Sequence, residues 1–248
     1  MTNSAASSDE EVHPRSDLSV MTVVEHLDEL RKRLIRCILY IAFGFAVALF
    51  VTKDILRLMK LPAGSITFQA LTLEEPVVVF VKVAFYTGLA VASPLILWEI
   101  SRFVAPGLTK NERRVLTPIV VGSPVLFVTG VLFAYFLLLP PMLRFFQSFG
   151  QGVTPIVQRL DFYVSLVSTI LLYMGLCFQL PIIIFALSFT GLITSKHLVA
   201  IWKYALVVIA MVSAVVTPDP TAFSMLIVMA ALSTLYFLSI LLLKMFGR

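Results

Sequence analysis

Long apolar runs constrain this chain more than any other feature of its sequence. They recur along the 248 residues and are separated by short polar segments. A helix needs about 20 consecutive apolar residues to cross the hydrocarbon core of a bilayer. Charged residues make up 13% of the chain, roughly half of the fraction usual in soluble domains. The sequence therefore predicts an all-α polytopic membrane protein. Its six predicted spans cover approximately 34–51, 76–98, 115–139, 162–189, 199–216 and 222–243.

The segment before the first span divides into two parts. Residues 1–19 are polar and lack an apolar core, which predicts a disordered cytoplasmic tail rather than a cleavable signal peptide. Residues 20–33 place apolar side chains at helical spacing with charges on the opposite face, so a short amphipathic helix in the membrane interface is expected. The remainder, residues 20–248, is predicted to be one membrane domain.

Prolines indicate where the later spans bend or end. Pro118 and Pro124 are expected to bend the third span, and Pro140–Pro141 to end it. The fourth span is interrupted by Gln179–Leu180–Pro181, which predicts a kink near residues 177–180.

An even number of spans places both termini on one side of the membrane, and the basic residues indicate which side. Of the 19 Lys and Arg residues, 13 fall in segments on the side of the termini, 5 fall on the other side, and Lys82 lies within the second span. Because basic residues accumulate on the cytoplasmic side, both termini are predicted to be cytoplasmic.

Sequence motifs for catalysis or metal binding are not found. The chain has no CxxC, HExxH or phosphate-binding loop, and Cys37 and Cys177 lie inside apolar runs, where cysteine behaves as a small hydrophobe. No catalytic residue, metal, cofactor or nucleic-acid partner is predicted. A secondary transporter would need ionisable or strongly polar groups near the membrane midplane, which only Lys82 and Gln179 approach. An intramembrane protease lacks any supporting constellation.

The polar segment Ser93–Arg114 is predicted to be a proline-broken loop, and it is the best place in the sequence to recognise a soluble partner. Phe103 and Pro106 lie within it. An exposed phenylalanine there can hold an apolar side chain of a ligand or insert into the membrane interface, and the sequence leaves both open.

Two acidic residues stand among the basic residues of the predicted cytoplasmic face, Glu29 before the first span and Glu112 in the loop. A carboxylate accepts paired hydrogen bonds from a guanidinium, so two nearby carboxylates can bind two adjacent arginines of a ligand. The alternative is local pairing, of Glu112 with Arg113 or Arg114 and of Glu29 with Arg33 at i+4.

Gln179 is the one strongly polar side chain deep in a predicted span. Inside a bilayer it needs a hydrogen-bond partner. That partner lies either within this chain or on the membrane helix of another protein, and the sequence does not decide between them.

Several segments together resemble the family of TatC, the receptor subunit of the twin-arginine translocase. His26–Arg33 reads HLDELRKR and resembles the HLxELRxR signature of that family. The resemblance extends in order from about residue 20 to 243. The other matching segments are Ser93–Pro94, Phe103–Leu108, Glu112–Arg114, Phe133–Phe136, Phe178–Pro181 and Thr217–Pro218.

The resemblance implies a receptor and not an enzyme. It implies that the chain binds twin-arginine signal peptides of folded cargo at the cytoplasmic face, assembles with single-span subunits of the TatA and TatB type, and supports export driven by the proton-motive force. The location implied is the cytoplasmic membrane of a prokaryote, in the lipid bilayer, with the six helices forming a concave cup; self-association is left open.

The site residues that the resemblance implies fall into two groups. Those for the signal peptide are Glu29, Arg31, Phe103, Pro106, Glu112, Arg113 and Arg114. Those for a partner helix are Gln179 and Pro181. Family members often have Glu where Gln179 stands; because Gln cannot ionise, only hydrogen bonding is expected from it.

Overall fold

The computed structural model describes residues 23–64, 66–104, 121–150, 157–189, 193–217 and 222–245, and these are predominantly helical. They include a π-helical turn at Ala134–Leu138 and a 3-10 turn at Leu61–Ala63. The helices within these residues are α1 (Val23–Lys60), α2 (Glu75–Val104), α3 (Ser123–Phe133), α4 (Leu139–Gly150), α5 (Leu160–Cys177), α6 (Leu180–Phe189), α7 (Ser195–Ala200), α8 (Trp202–Val216) and α9 (Ala222–Met245).

The described residues contain five helical stretches that are long and apolar enough to cross a membrane. A further apolar helix, α8, has 15 residues. Its length is about 22 Å at 1.5 Å per residue, against a hydrocarbon core of about 30 Å. The prediction of an all-α polytopic membrane protein is confirmed. The number of six spans, the cytoplasmic termini, the single domain and the cupped shape stay predictions.

The first span is longer than expected and has no separate interfacial helix before it. From Val23 to Lys60, α1 is one continuous helix of 38 residues, about 57 Å long at the α-helical rise. The prediction of a short helix over residues 20–33, distinct from the span, is therefore wrong for its described part. The physical reason is that this stretch contains no proline and one glycine, Gly44, so nothing interrupts its hydrogen bonding.

The second helix also passes its predicted end. It continues to Val104 with Pro94 inside it, so the first half of the predicted loop Ser93–Arg114 is helical. Pro94 has no N–H to donate to the carbonyl of Ala90, four residues earlier. The Ser93 hydroxyl donates to that carbonyl at 2.8 Å and replaces the missing donor. Residues 105–114 lie outside the described residues.

The third span does not end at Pro140–Pro141, as predicted, because α4 carries these prolines and continues to Gly150. Just before them, the N–H of Leu139 donates to the carbonyl of Ala134, five residues back. This wider turn changes the hydrogen-bond register where the next two residues lack donors. Pro124 stands in the first turn of α3, directly after a turn at Gly122. Because residues 105–120 lie outside the described residues, the bend expected at Pro124 stays a prediction. Pro118 lies outside the described residues.

The break in the fourth span is confirmed. The first half, α5, ends at Cys177, and α6 begins at Leu180. Pro181 stands in the first turn of α6, where its missing N–H is least harmful, and the carbonyl of Gln179 accepts the N–H groups of Ile182 and Ile183. Many side chains of α5 are buried, which makes it the central helix of the described core.

A two-stranded parallel sheet joins the connection between α1 and α2 to the segment directly before α5. Its strands are β1 (Thr67–Gln69) and β2 (Val157–Arg159), with Phe68 opposite Gln158. Strand β1 gives the connection between α1 and α2 a short stretch of regular structure.

Two glycines, Gly44 and Gly88, allow the backbones of α1 and α2 to approach each other closely. A Cβ atom added to Gly44 would lie 2.6 Å from the carbonyl oxygen of Gly88. The absence of side chains at both positions lets the two helices touch through their backbones. This crossing sets how the N-terminal turns of α1 lie beside the C-terminal turns of α2.

Candidate functional site

The candidate site lies where the start of α1 meets the end of α2. Glu29, Arg33 and Tyr40 follow one another along α1 at spacings of four and seven residues, which is one face of a helix. Glu99 and Phe103 are four residues apart in the last turns of α2. The structure brings these two faces together into one polar cluster.

Arg33 is the centre of this cluster. Its Nε donates to Oε1 of Glu29 at 3.0 Å, and its Nη2 donates to the same oxygen. Its Nη1 donates to Oε2 of Glu99 at 2.9 Å. The backbone carbonyls of Glu99 and Arg102 accept at 3.4 and 3.1 Å. These five hydrogen bonds equal the number of N–H donors on a guanidinium, and the Arg33 side chain is 14% exposed.

Glu99 is a buried carboxylate that sequence reasoning missed. It is 3% exposed, so its charge must be compensated inside the protein. Besides Arg33, the Tyr40 hydroxyl donates to Oε1 at 3.2 Å, and Nη1 of Arg36 lies 3.5 Å from Oε2. Glu99 lies four residues before Phe103, a spacing that places both side chains on one face if the segment is helical. Because this segment was predicted to be a loop, the spacing was not used.

Glu29 has one engaged and one free carboxylate oxygen. Its Oε1 accepts from Arg33, whereas its Oε2 is buried and has no hydrogen-bond partner among the described residues. Nδ1 of His26 lies 3.9 Å from Oε2. The His26 ring stacks on Phe103 with 4.2 Å between ring centroids and 19° between planes. Phe103 is therefore held close to Glu29 through His26.

Three of the predicted signal-peptide residues lie within the described part of the chain. It brings Glu29 and Phe103 together, and Arg31 is exposed on α1 nearby. The local pairing of Glu29 with Arg33, which the sequence left open, is confirmed. The remaining predicted residues, Pro106, Glu112, Arg113 and Arg114, lie outside the described residues.

Gln179 lies buried at the break between α5 and α6, with 4% of its surface exposed. Its Nε2 donates to the backbone carbonyl of Ser123 at 3.1 Å, so part of its hydrogen bonding is internal. Its Oε1 and the Ser123 hydroxyl are both buried and have no hydrogen-bond partner within the described part of the chain. Pro181 is buried beside the break. A contact of this place with a partner helix stays a prediction.

A second polar cluster joins α2 to α5. Lys82 forms an ion pair with Asp161 and donates to the Ser165 hydroxyl at 3.0 Å. Glu75, at the start of α2, is buried, accepts the N–H of Asp161 at 3.0 Å, and lies 3.4 Å from Nε of Arg159. Lys82, which the sequence analysis considered as a polar group near the membrane midplane, thus has an ionic partner within the chain.

These observations define a class of protein. No group of three or more His, Cys, Asp or Glu residues in the described part of the chain is placed to hold a metal ion. The chain is a multi-pass helical membrane protein, and the end of its first helix pair holds a guanidinium between two carboxylates.

Comparison with known proteins gives the family. The model of the family "Sec-independent protein translocase protein (TatC)" matches residues 25–230. The chain therefore belongs to the TatC family.

Relatives agree along most of the chain. The Sec-independent protein translocase protein TatC of Synechocystis sp. is 36% identical over 228 residues, which cover 92% of this chain and 90% of that protein. The chloroplastic TATC of Pisum sativum is 35% identical over 230 residues, and this chain spans 65% of its length. A crystal structure of the twin-arginine translocase receptor TatC superposes with a TM-score of 0.78 at 32% identity, covering 88% of this chain and 99% of that one. The names of these relatives indicate protein transport rather than catalysis.

Proposed function

We propose that this chain is the receptor subunit of a twin-arginine protein translocase. At the cytoplasmic face it binds the twin-arginine signal peptides of folded cargo. It also scaffolds small single-span subunits of the TatA and TatB type for export driven by the proton-motive force. Family membership supports the transport role, and the solved relative is described as a twin-arginine translocase receptor. The observation that carries the receptor role is Glu29, a carboxylate beside Phe103 that already accepts a guanidinium.

The chemistry of Glu29 suits an arginine ligand. Two N–H groups of Arg33 converge on its Oε1, so the backbone of α1 holds this carboxylate where a planar guanidinium can approach it. A lysine ammonium is a compact charge without this fork and forms weaker directional pairs with carboxylates. Phe103 offers an apolar surface for neighbouring side chains of the peptide. Arg31, Pro106, Glu112, Arg113 and Arg114 are proposed to complete the site.

The first test compares two signal peptides on the purified protein. One carries Arg-Arg, and the other is identical except for Lys-Lys. We expect binding to weaken by roughly tenfold or more with Lys-Lys, which corresponds to the loss of one charge-assisted hydrogen bond of about 1.5–3 kcal/mol. Equal affinities for the two peptides would remove the basis for a guanidinium-reading site.

The second test assigns the residue. Glu29→Gln removes the charge while keeping the shape, and we expect it to lower the affinity for the Arg-Arg peptide by about tenfold. The matched control is Asp28→Asn, which removes the same charge from the preceding position. Asp28 is exposed and pairs with Lys32 at 2.6 Å. If both variants lose affinity equally, the site responds to net charge and Glu29 has no special role.

The break at Gln179 is the proposed contact for a single-span partner. A partner's hydroxyl or amide group can donate to Oε1 of Gln179 in an environment without water. Pro181 supports this contact indirectly, because it fixes the break.

The partner contact is tested by co-purification. Gln179→Leu should reduce the amount of single-span subunits that co-purify with the protein, while Ser168→Ala serves as control. Ser168 is another buried hydroxyl without a hydrogen-bond partner among the described residues. Undiminished co-purification of Gln179→Leu would remove Gln179 from the partner contact.

We further propose that the protein lies in the cytoplasmic membrane of a prokaryote with both termini in the cytoplasm. The support is the excess of Lys and Arg, 13 against 5, on the side of the termini. A reporter fused after Arg248 should be active only inside the cell, and activity outside would overturn this orientation.

A further inference from the structure

The guanidinium that binds Glu29 is the side chain of Arg33, so a ligand arginine that binds Glu29 has to compete with Arg33. We propose that Arg33 is an internal occupant of the arginine site, and that a ligand arginine binds Glu29 by displacing Arg33 onto Glu99. This inference rests on the proposed receptor function and specifies how the same site is regulated.

Arg33 presents to Glu29 the same chemical group that the ligand would present. Its Nε and Nη2 both point to Oε1 of Glu29, while Oε2 remains without a hydrogen bond among the described residues. The carboxylate is thus only half used by its internal partner. A ligand guanidinium that reached both oxygens would form the two parallel hydrogen bonds that carboxylates accept best.

Glu99 lowers the free-energy cost of displacing Arg33 from Glu29. After losing Glu29, Arg33 would keep Oε2 of Glu99 at 2.9 Å and the carbonyls of Glu99 and Arg102 at 3.4 and 3.1 Å. Three of its five hydrogen bonds and its opposing charge would remain. Without Glu99, the displaced Arg33 would be a largely buried cation with no counter-charge, which is strongly unfavourable.

Glu99 is itself held in place by groups that do not take part in the exchange. The Tyr40 hydroxyl donates to its Oε1 at 3.2 Å, and Nη1 of Arg36 lies 3.5 Å from its Oε2. Glu99 is therefore a positioning residue, which acts on the ligand through Arg33. The binding-competent form is the fraction of molecules in which Arg33 has released Glu29, and the apparent affinity is reduced by that fraction.

The test removes the internal occupant while keeping the charge balanced. In the double variant Arg33→Met/Glu99→Gln, one cation and one anion are lost together, so Glu29 faces no internal guanidinium and Glu99 does not remain as a buried carboxylate without Arg33. We expect the Arg-Arg signal peptide to bind this variant roughly three- to tenfold more tightly than the wild type, as expected when one competing hydrogen bond of ordinary net strength is removed.

The chain offers a matched control one residue earlier. Asp28 and Lys32 form an exposed i,i+4 ion pair, and the Lys32 side chain is 66% exposed. The double variant Asp28→Asn/Lys32→Met removes this pair with the same change of charge on the same helix. We expect its affinity for the peptide to equal that of the wild type.

The outcomes separate the inference from the proposed function. If the wild type prefers the Arg-Arg peptide over the Lys-Lys peptide and Arg33→Met/Glu99→Gln binds the same or more weakly, Arg33 positions Glu29 and the inference is overturned, while the receptor role stands. If the wild type shows no preference between the peptides, the receptor role fails and the inference falls with it.

If the double variant does not fold, the single variant Arg33→Lys tests the inference instead. It keeps a cation beside Glu99 but loses the fork, and it should bind the Arg-Arg peptide more tightly than the wild type; equal or weaker binding overturns the inference.

Discussion

Alanine at Gly44 tests whether the backbone contact between α1 and α2 stabilises the protein. Its Cβ would lie 2.6 Å from the carbonyl oxygen of Gly88 and 3.3 Å from the Gly88 carbonyl carbon and Cα. Favourable carbon–oxygen contacts begin at about 3.3 Å, so the two helices would have to separate locally by about 0.7 Å. The clash is with backbone, which cannot rotate away as a side chain can.

The expected effect on stability is the difference of two terms. Overpacking of this kind typically lowers the free energy of unfolding by about 1–3 kcal/mol, and the greater helix propensity of alanine returns up to about 1 kcal/mol. We therefore expect Gly44→Ala to destabilise the protein by about 1–2 kcal/mol. Unfolding in mixed micelles with increasing SDS, followed by the fluorescence of the two tryptophans, measures this difference.

The control adds more carbon to the same helix on its exposed side. Ala46 is exposed two residues after Gly44, so Ala46→Val has no backbone to displace and should change stability by less than about 0.5 kcal/mol. A Gly44→Ala variant as stable as the wild type would refute the conclusion that this crossing is held by close backbone contact.

Two further predictions concern the polar cluster between α2 and α5. Asp161→Asn should lower the free energy of unfolding by about 1–3 kcal/mol because it leaves the partly buried Lys82 without its ionic partner. Adding Lys82→Met should recover most of the loss, and a double variant no more stable than Asp161→Asn alone would argue against the pair. Glu75→Gln should destabilise by about 1–3 kcal/mol because the buried carboxylate accepts the N–H groups of Leu71 and Asp161 at 2.8 and 3.0 Å. Wild-type stability of Glu75→Gln in the same SDS titration would contradict this role.

Proline predicted a helix break correctly only where no neighbouring group replaces the hydrogen bonds that proline removes. The break at Gln179–Pro181 occurs because the hydrogen bonds that proline removes are not replaced inside the helix. At Pro94 the same rule failed, because the preceding Ser93 hydroxyl supplies the missing donor. At Pro140–Pro141 it failed because a π turn shifts the hydrogen-bond register. A proline therefore ends a helix only when the neighbouring residues do not replace the missing hydrogen bond or shift the hydrogen-bond register.

The candidate site was predictable in part for a similar reason. Glu29 and Arg33 are four residues apart on one helix, so their pairing follows from helical geometry. Glu99 is 66 residues from Arg33, and nothing local to either residue indicates how the two helices are aligned. Once α2 is wrongly ended before Glu99, that carboxylate belongs to a loop, and its burial against α1 cannot be inferred.

The register between α1 and α2 follows from the glycines, and it connects the fold to the site. Arg33 precedes Gly44 by eleven residues, and Glu99 follows Gly88 by eleven residues. In an antiparallel pair, both side chains therefore lie at the same height, about 16 Å from the crossing. Eleven residues make just over three full turns, so each side chain also shares the face of its glycine. The backbone contact thus fixes the meeting of Arg33 with Glu99, although neither glycine touches the site. Inserting one residue between Arg33 and Gly44 would rotate Arg33 by about 100° and separate it from Glu99, without altering any residue of the site itself.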